Sequence, residues 1–207
     1  MDINNLSAAI GLSIMLLFGL IWFVMVAFLR LKKKKSLVYL IFFTIFYVYI
    51  YKVLDYTEFQ FQILLLLNYF MPGRLILRGG TALGNVTLIP LITLTPQDFK
   101  TSLLNILLLT PFGFGLPFIT NLRMKKIVVI GALFSIALEL LQLASALMAK
   151  TTFRIVDIND VIFNTAGVAI GYILFVGFIW VSRRISRNGE MSANPILRYI
   201  AERGRGQ

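Results

Sequence analysis

Acidic and amide side chains lie inside two apolar segments of this chain, where a membrane span ordinarily carries none. The first segment places Glu139 and Gln142 about one helical turn apart, and the second carries Asp157, Asp160 and Asn164 at spacings of three and four. Such groups can bind the polar head of a ligand, gather a cation or transfer a proton. An isolated carboxylate in hydrocarbon is costly unless it is paired, hydrated or protonated, so each requires a specific environment.

Both segments keep these polar residues on one helical face, together with small residues. Spacings of three and four return to the same side of a helix, because each residue turns the chain by about 100°. The face of the first segment comprises Gly131, Ser135, Glu139, Gln142 and Ala146. The face of the second comprises Asp157, Asp160, Asn164, Gly167 and Gly171. Because polar faces are costly against lipid, we expect the two to meet each other or a shared cavity.

The composition is that of an integral membrane protein. Of the 207 residues, 58% are hydrophobic and 14% are charged, and the mean hydropathy is +0.85. The net charge is +11, but the basic residues stand at the ends of long apolar runs. This placement indicates membrane orientation and attraction to anionic lipid, so we expect membrane lipids, and not nucleic acid, as partners.

Two residue types are absent from the sequence, and their absence limits the reactions that the chain can carry out. The chain contains no cysteine and no histidine, which excludes disulfides, thiolate nucleophiles, Cys/His zinc sites and an imidazole base. Any chemistry must therefore use carboxylates, amides, hydroxyls and arginine. We predict no cofactor and no resident metal.

Five apolar runs are long enough to cross about 30 Å of hydrocarbon at about 1.5 Å per residue. They are predicted at residues 6–29, 36–54, 101–120, 127–149 and 160–181. Basic residues follow the first run, separate the third from the fourth and follow the fifth, so they share one side of an all-α, five-span bundle. This pattern predicts an outer N-terminus and an inner C-terminus. Positive charge follows the first run instead of preceding it, which favours a retained span over a cleaved signal.

Other features are assigned around these spans. Residues 55–100 are predicted to lie outside, and the short apolar segment 59–71 is predicted to be interfacial or re-entrant. Residues 1–185 form a single transmembrane domain, and residues 186–207 form a basic cytoplasmic tail that is flexible or lies on anionic headgroups. Pro111 and Gly113 interrupt the third span, which is predicted to kink and to leave carbonyl groups for neighbouring helices.

Successive motifs between about residues 85 and 180 resemble those of VanZ-like proteins. They are residues 85–90, 105–114 and 135–142, followed by Arg154, Asp157, Asp160, Asn164, Gly167 and Gly171. The founding member of that family is associated with low-level resistance to teicoplanin, a glycopeptide antibiotic with a fatty acyl tail. The resemblance therefore implies a multi-pass protein of the cell membrane. It also implies a ligand such as teicoplanin or a lipid-linked cell-wall precursor.

The selected residues have structural and functional interpretations. Asp157 or Asp160 can cap the start of a helix, for about 1 kcal/mol each. Arg154 can form a structural ion pair with Glu139 or with one of these aspartates. The residues predicted to support helix packing are Pro111, Gly113, Gly167 and Gly171. The residues predicted to line an outward-facing polar pocket are Asn105, Ser135, Glu139, Gln142, Arg154, Asp157, Asp160 and Asn164. Such a pocket would hold the head of an amphiphile while its tail lies between helices.

Two functions from different classes stay open. In the first, the protein binds or moves an amphiphile, and the carboxylates shape and charge the pocket. In the second, it is an enzyme of the cell envelope in which Glu139 is a general acid or base, and Asp157 with Asp160 gathers a divalent cation around phosphate. The missing histidine and nucleophile motif argue against catalysis, and the small size without an evident repeat argues against simple transport. We favour the binding protein.

Overall fold

In the computed structural model, the described residues are almost all helical, apart from one very short pair of strands. The structure describes residues 3–59, 63, 86–87, 96–149, 156–185 and 194–203. Its helices are α1 (Ile3–Leu31), α2 (Leu37–Leu54), α3 (Pro96–Ile119), α4 (Met124–Ala149), α5 (Ile158–Ile185) and α6 (Pro195–Arg203). A π-helical turn, Asp55–Phe59, directly continues α2. The strands β1 (Val86–Thr87) and β2 (Val156–Asp157) pair in parallel.

Five of these helices are long and apolar enough to cross a membrane, which confirms the predicted fold class and number of spans. They are α1, α2 with its π turn, α3, α4 and α5. The second span is longer than predicted because the helix continues past the charged Asp55 to Phe59. The segment 59–71 lies almost wholly outside the described residues, and the outer position of the N-terminus stays a prediction.

The centre of the bundle is the contact between α3 and α5, which is the most extensive between any two of the described helices. Glycine allows their backbones to approach closely. A Cβ atom at Gly113 would overlap the carbonyl oxygen of Val168, and one at Gly171 would overlap that of Thr110. Gly167 meets another carbonyl oxygen of α3 in the same way. Because the obstacle is backbone in each case, a larger residue would force the two helices apart.

Side chains from α3, α4 and α5 form the apolar core around this contact. Leu109, Ile127 and Val168 are fully buried in it. The helix α3 is continuous through Pro111 and Pro117. A proline leaves a carbonyl group of the preceding turn without its N–H partner, and membrane helices are supported there by neighbours. Near that point the Tyr49 hydroxyl of α2 donates to the carbonyl oxygen of Leu108 at 2.7 Å.

The helix α1 lies at the edge of the bundle and packs mainly on α2. Two hydrogen bonds join them. The Trp22 indole donates to the Thr44 hydroxyl at 3.1 Å, and the Tyr47 hydroxyl donates to the carbonyl oxygen of Phe18 at 2.8 Å.

One end of the bundle carries α6 and most of the described basic residues, and we call it the basic end. Here Arg203 of α6 bonds the side chain of Asn121 in the α3–α4 link and lies over the ring of Tyr39 at the start of α2. Arg183, near the end of α5, donates to the carbonyl oxygen of Ala201 at 3.1 Å. The basic residues at this end include Lys32, Lys33, Lys34, Lys35, Arg123, Lys125, Lys126, Arg183 and Arg184. We call the opposite end, where α5 begins, the polar end.

The described part of the tail packs against the bundle, whereas the sequence suggested a flexible or headgroup-bound segment. Residues 195–203 form the helix α6, which packs on the basic end. Ile200 is buried against Phe118 and Phe175, and the Tyr199 hydroxyl donates to the carbonyl oxygen of Phe118 at 2.5 Å. This contact satisfies a carbonyl group in the last turn of α3 that has no partner within its own helix.

Candidate functional site

One hydrogen bond fixes how the polar faces of α4 and α5 meet. The side-chain nitrogen of Asn164 donates to the Ser135 hydroxyl at 2.9 Å, and these residues are 3% and 0% exposed. The two helices run in opposite directions, so four residues further along α4 and four residues back along α5 both lead toward the polar end. These steps reach Glu139 and Asp160, each about 6 Å from the hydrogen bond. Glu139 and Asp160 therefore lie at about the same depth.

The polar face of α4 is turned into the protein. Glu139 is 7% exposed and Gln142 is 9% exposed, and Gly131 of the same face is also buried. The side chain of Ala146, the last residue predicted for this face, is not among those that the structure describes. Ser145 is a buried polar residue of this helix that the sequence analysis did not select, although it follows Gln142 by three residues. Its hydroxyl donates to the carbonyl oxygen of Leu141 at 2.8 Å.

A third helix reaches the same region through Asn105. The side-chain nitrogen of Asn105 on α3 donates to Oδ1 of Asp160 at 2.5 Å, and both residues are half-buried. A hydrogen bond to a carboxylate is stronger than one between neutral groups. The predicted residues of α3, α4 and α5 are thus brought together, with Asp160 and Asn164 one turn apart on α5. We call Asn105, Ser135, Glu139, Gln142, Asp160 and Asn164 the polar cluster.

Asp157 lies at the edge of this cluster and caps α5. Its Oδ1 accepts a hydrogen bond from the backbone N–H of Asn159 at 2.9 Å, which is the contact of an N-cap residue. Asp157 also ends β2, where it lies opposite Thr87 of β1. The strand pair therefore brings the described part of the 85–90 motif beside the start of α5.

Glu58 is a buried carboxylate that the sequence analysis did not select. It is 3% exposed and belongs to the π turn, which packs against α4. The sequence prediction ends the second span at Leu54, before the acidic Asp55, and so assigns Glu58 to the outer side. A signal was present, because Glu58 stands between Thr57 and Phe59 directly before further apolar residues. π-helical turns occur frequently at functional sites.

The remaining predicted residues lie elsewhere. Gly113, Gly167 and Gly171 are at the α3–α5 contact, whereas Pro111 is exposed on the surface of α3. Arg154, the predicted partner of Glu139, lies outside the described residues. Within the described ranges, no three acidic side chains are close enough to share a metal ion.

Asn164 carries a buried acceptor atom without a described hydrogen-bond donor. Its Oδ1 is buried, and no described group donates a hydrogen bond to it. Buried side-chain amide oxygens usually have a donor partner, so this atom can accept one from a ligand or from water.

The fold and the site define a class of protein: a helical membrane protein whose described residues form five spans, with a buried polar cluster near one end of the last three. A profile of the VanZ/LLP1 family matches residues 10–181, which is most of the chain. The protein belongs to the VanZ/LLP1 family. The match begins within α1, so it includes the two N-terminal spans that the motif resemblance leaves out. Comparisons with curated proteins and with solved structures give no match.

Proposed function

We propose that the protein resides in the cell membrane, binds an amphiphile at the polar end of the bundle, and thereby confers low-level resistance to teicoplanin. The observation that carries this proposal is the Asn164–Ser135 hydrogen bond, which joins two buried polar faces inside membrane spans. Polar groups at such depth are costly and often mark functional sites. The open acceptor at Asn164 Oδ1 supports binding of a donor group on the ligand. Family membership supports teicoplanin or a lipid-linked cell-wall precursor as that ligand.

An apolar crevice next to the π turn supports the binding of a tail. It lies between α1 and α2, has a volume of about 300 Å³, and is lined by residues that include Phe18, Trp22 and Tyr51. The ring of Tyr51 is 6.0 Å from that of Phe59, which ends the turn that carries Glu58. An acyl tail in this crevice would therefore lie near a buried polar residue of the polar end.

The burial of Glu139 favours one alternative, an envelope enzyme that uses this carboxylate to transfer a proton. Glu139 is 7% exposed and lies one turn from Gln142, at the depth of Asp160. Proton transfer requires an ionisable group within hydrogen-bond reach of the reacting atom. Glu139→Gln separates the two functions, because the amide keeps the shape and the hydrogen bonding but cannot exchange a proton.

Drug susceptibility tests the proposal directly. Sensitive cells that express the chain, or carry an empty vector, are compared for growth inhibition by teicoplanin and by vancomycin, which lacks the acyl tail. We expect protection against teicoplanin with little effect on vancomycin. Asn164→Leu and Arg154→Ala should reduce the protection at equal protein levels, since each removes a polar group from the predicted pocket.

A matched control keeps the result specific. Asn5→Leu makes the same change as Asn164→Leu on the exposed surface of α1. This variant should protect as the wild type does. Intact protection in Glu139→Gln supports binding, whereas its loss beside normal protection in Asn5→Leu supports the enzyme. Growth that is equal with and without the chain in both drugs would contradict the resistance function.

A further inference from the structure

A second apolar crevice opens between α2, α3 and α5, in the half of the bundle nearer the basic end. Its volume is about 360 Å³, and its lining includes Phe42, Phe46, Tyr49, Phe118 and Phe178. The Tyr49 hydroxyl already donates a hydrogen bond to α3, so Tyr49 lines the crevice with its ring and not with a free hydroxyl. All of these residues lie within membrane spans, where the surrounding solvent is acyl chain.

The length of the crevice fits an acyl chain of one leaflet. Along α3 it extends from Phe118, in the last turn, to Pro111, which is about 10 Å at the helical rise of about 1.5 Å per residue. One leaflet contributes about 15 Å to a hydrocarbon core of about 30 Å. A lipid whose chain occupies the crevice therefore has its headgroup near the basic end.

Two cations lie where that headgroup would be. The Lys35 ammonium is 4.7 Å from the centroid of the Tyr39 ring, and the Arg203 guanidinium is 6.0 Å from the same centroid. Arg203 also lies over Tyr199, at 4.8 Å, and the Tyr199 ring stacks on Phe42 with centroids 5.5 Å apart. The Tyr199 ring thus connects Arg203 to the wall of the crevice.

Within the described part of the chain, no carboxylate forms an ion pair with Lys35 or Arg203, although Glu202 acts on the neighbouring Tyr199. Two like charges on one aromatic ring repel each other, and an anion beside both would be attracted by each. Basic residues at a membrane surface attract anionic headgroups in the same way.

We propose that this crevice and the adjoining cations form a binding site for an anionic phospholipid. One acyl chain lies in the crevice, and the phosphate group lies beside Lys35 and Arg203. The helix α6 is part of the site, because it supplies Arg203 and the Tyr199 ring. This site is separate from the polar cluster and does not depend on the proposed resistance function.

Lipid retention by the purified full chain tests the site. The protein in detergent is mixed with phosphatidylglycerol or phosphatidylcholine of identical acyl chains, and bound lipid is counted by native mass spectrometry. We expect preferential retention of phosphatidylglycerol. One basic residue near an anionic headgroup corresponds to roughly fivefold in binding. Lys35→Gln and Arg203→Gln should therefore each lower phosphatidylglycerol binding roughly fivefold and leave phosphatidylcholine unchanged.

Each part of the site has a matched control. Lys33→Gln removes a cation that lies over Phe28, away from the crevice, and should change neither lipid. Ile45→Trp fills the crevice from its lipid-facing side and should lower the retention of both lipids. Ile41→Trp, one turn earlier on the same exposed face, should not.

Several results would overturn the proposal. Equal retention of the two lipids by the wild type, or retention of neither, contradicts an anionic lipid site. If Lys33→Gln lowered phosphatidylglycerol binding as much as Lys35→Gln does, general surface charge and not this site would explain the binding. Equal lipid retention by Ile45→Trp and Ile41→Trp would show that the crevice is not the binding surface. Lys35 lies outside α6, so its variant is informative even if Arg203→Gln releases that helix.

Discussion

Replacing Gly171 with alanine tests whether the close contact of α3 with α5 determines the stability of the bundle. The added Cβ would overlap the Thr110 carbonyl oxygen and lie 2.8 Å from the backbone nitrogen of Phe114. Overpacking typically costs about 1–3 kcal/mol, and a value in the upper part of that range is expected because both obstacles are backbone. Alanine recovers about 0.5–1 kcal/mol of helix propensity relative to glycine. The overpacking cost less the gain in helix propensity is about 1–2 kcal/mol, and we expect the free energy of unfolding to fall by that amount.

Gly177→Ala is the control on the same helix, because a Cβ there would have nothing within 4 Å. Its free energy of unfolding should be unchanged or higher by up to about 1 kcal/mol, from helix propensity alone. Both variants are unfolded with SDS in mixed micelles and followed by far-ultraviolet circular dichroism. Coincident transitions for Gly171→Ala and Gly177→Ala would refute the close backbone contact.

Three further predictions concern single contacts. In a double-mutant cycle of Ser135→Ala with Asn164→Leu, unfolding should show a coupling of about 0.6 kcal/mol, typical of hydrogen bonds between membrane helices; a coupling of zero would contradict the contact. Asp157→Ala should lower the free energy of unfolding by about 1 kcal/mol, whereas Asp157→Asn should retain most of it, because an amide also caps a helix; equal losses would exclude the capping role. Burial raises the pKa of Tyr199 above 10.0, more than nearby Arg203 lowers it. Its stabilising contribution is therefore complete below the unfolded-state pKa and is lost as pH rises through the folded-state pKa. The thermal stability of wild type should exceed that of Tyr199→Phe at pH 8 and approach it at strongly alkaline pH, and a constant difference would contradict this.

The helical faces of α4 and α5 could be predicted from the sequence because they depend only on the geometry of a single helix. Spacings of three and four place Ser135 with Glu139, and Asp160 with Asn164, whatever surrounds them. The depth at which these faces meet depends on the Asn164–Ser135 bond, which relates two different helices. The bond between Asn105 and Asp160 likewise depends on how α3 is rotated, and periodicity carries no information about that.

The burial of Glu58 and the helix α6 could not be predicted from the sequence pattern, for a different physical reason. Hydropathy favours an end of the second span before the acidic residues Asp55 and Glu58, but the span continues through Asp55, whose carboxylate pairs with Lys52 at 3.0 Å. In the tail, charged residues lower the average hydropathy of a nine-residue helix, so its apolar side, which contains the buried Ile200, does not stand out in the sequence. Both segments are stabilised by contacts with distant helices, and such contacts override local composition.

The two proposed sites should act independently, because they lie near opposite ends of the same helices. Glu58 is sixteen residues from Phe42 along the second span, a separation of about 24 Å at the helical rise. An amphiphile with its polar group near Glu58 cannot also place a phosphate beside Lys35, since the headgroups of one bilayer leaflet share a single depth. Ile45→Trp should therefore lower lipid retention without changing teicoplanin susceptibility, and Asn164→Leu should do the reverse. If Ile45→Trp also abolished protection while Ile41→Trp did not, the antibiotic and the phospholipid would have to share the basic-end crevice, and the assignment of resistance to the polar cluster would be wrong.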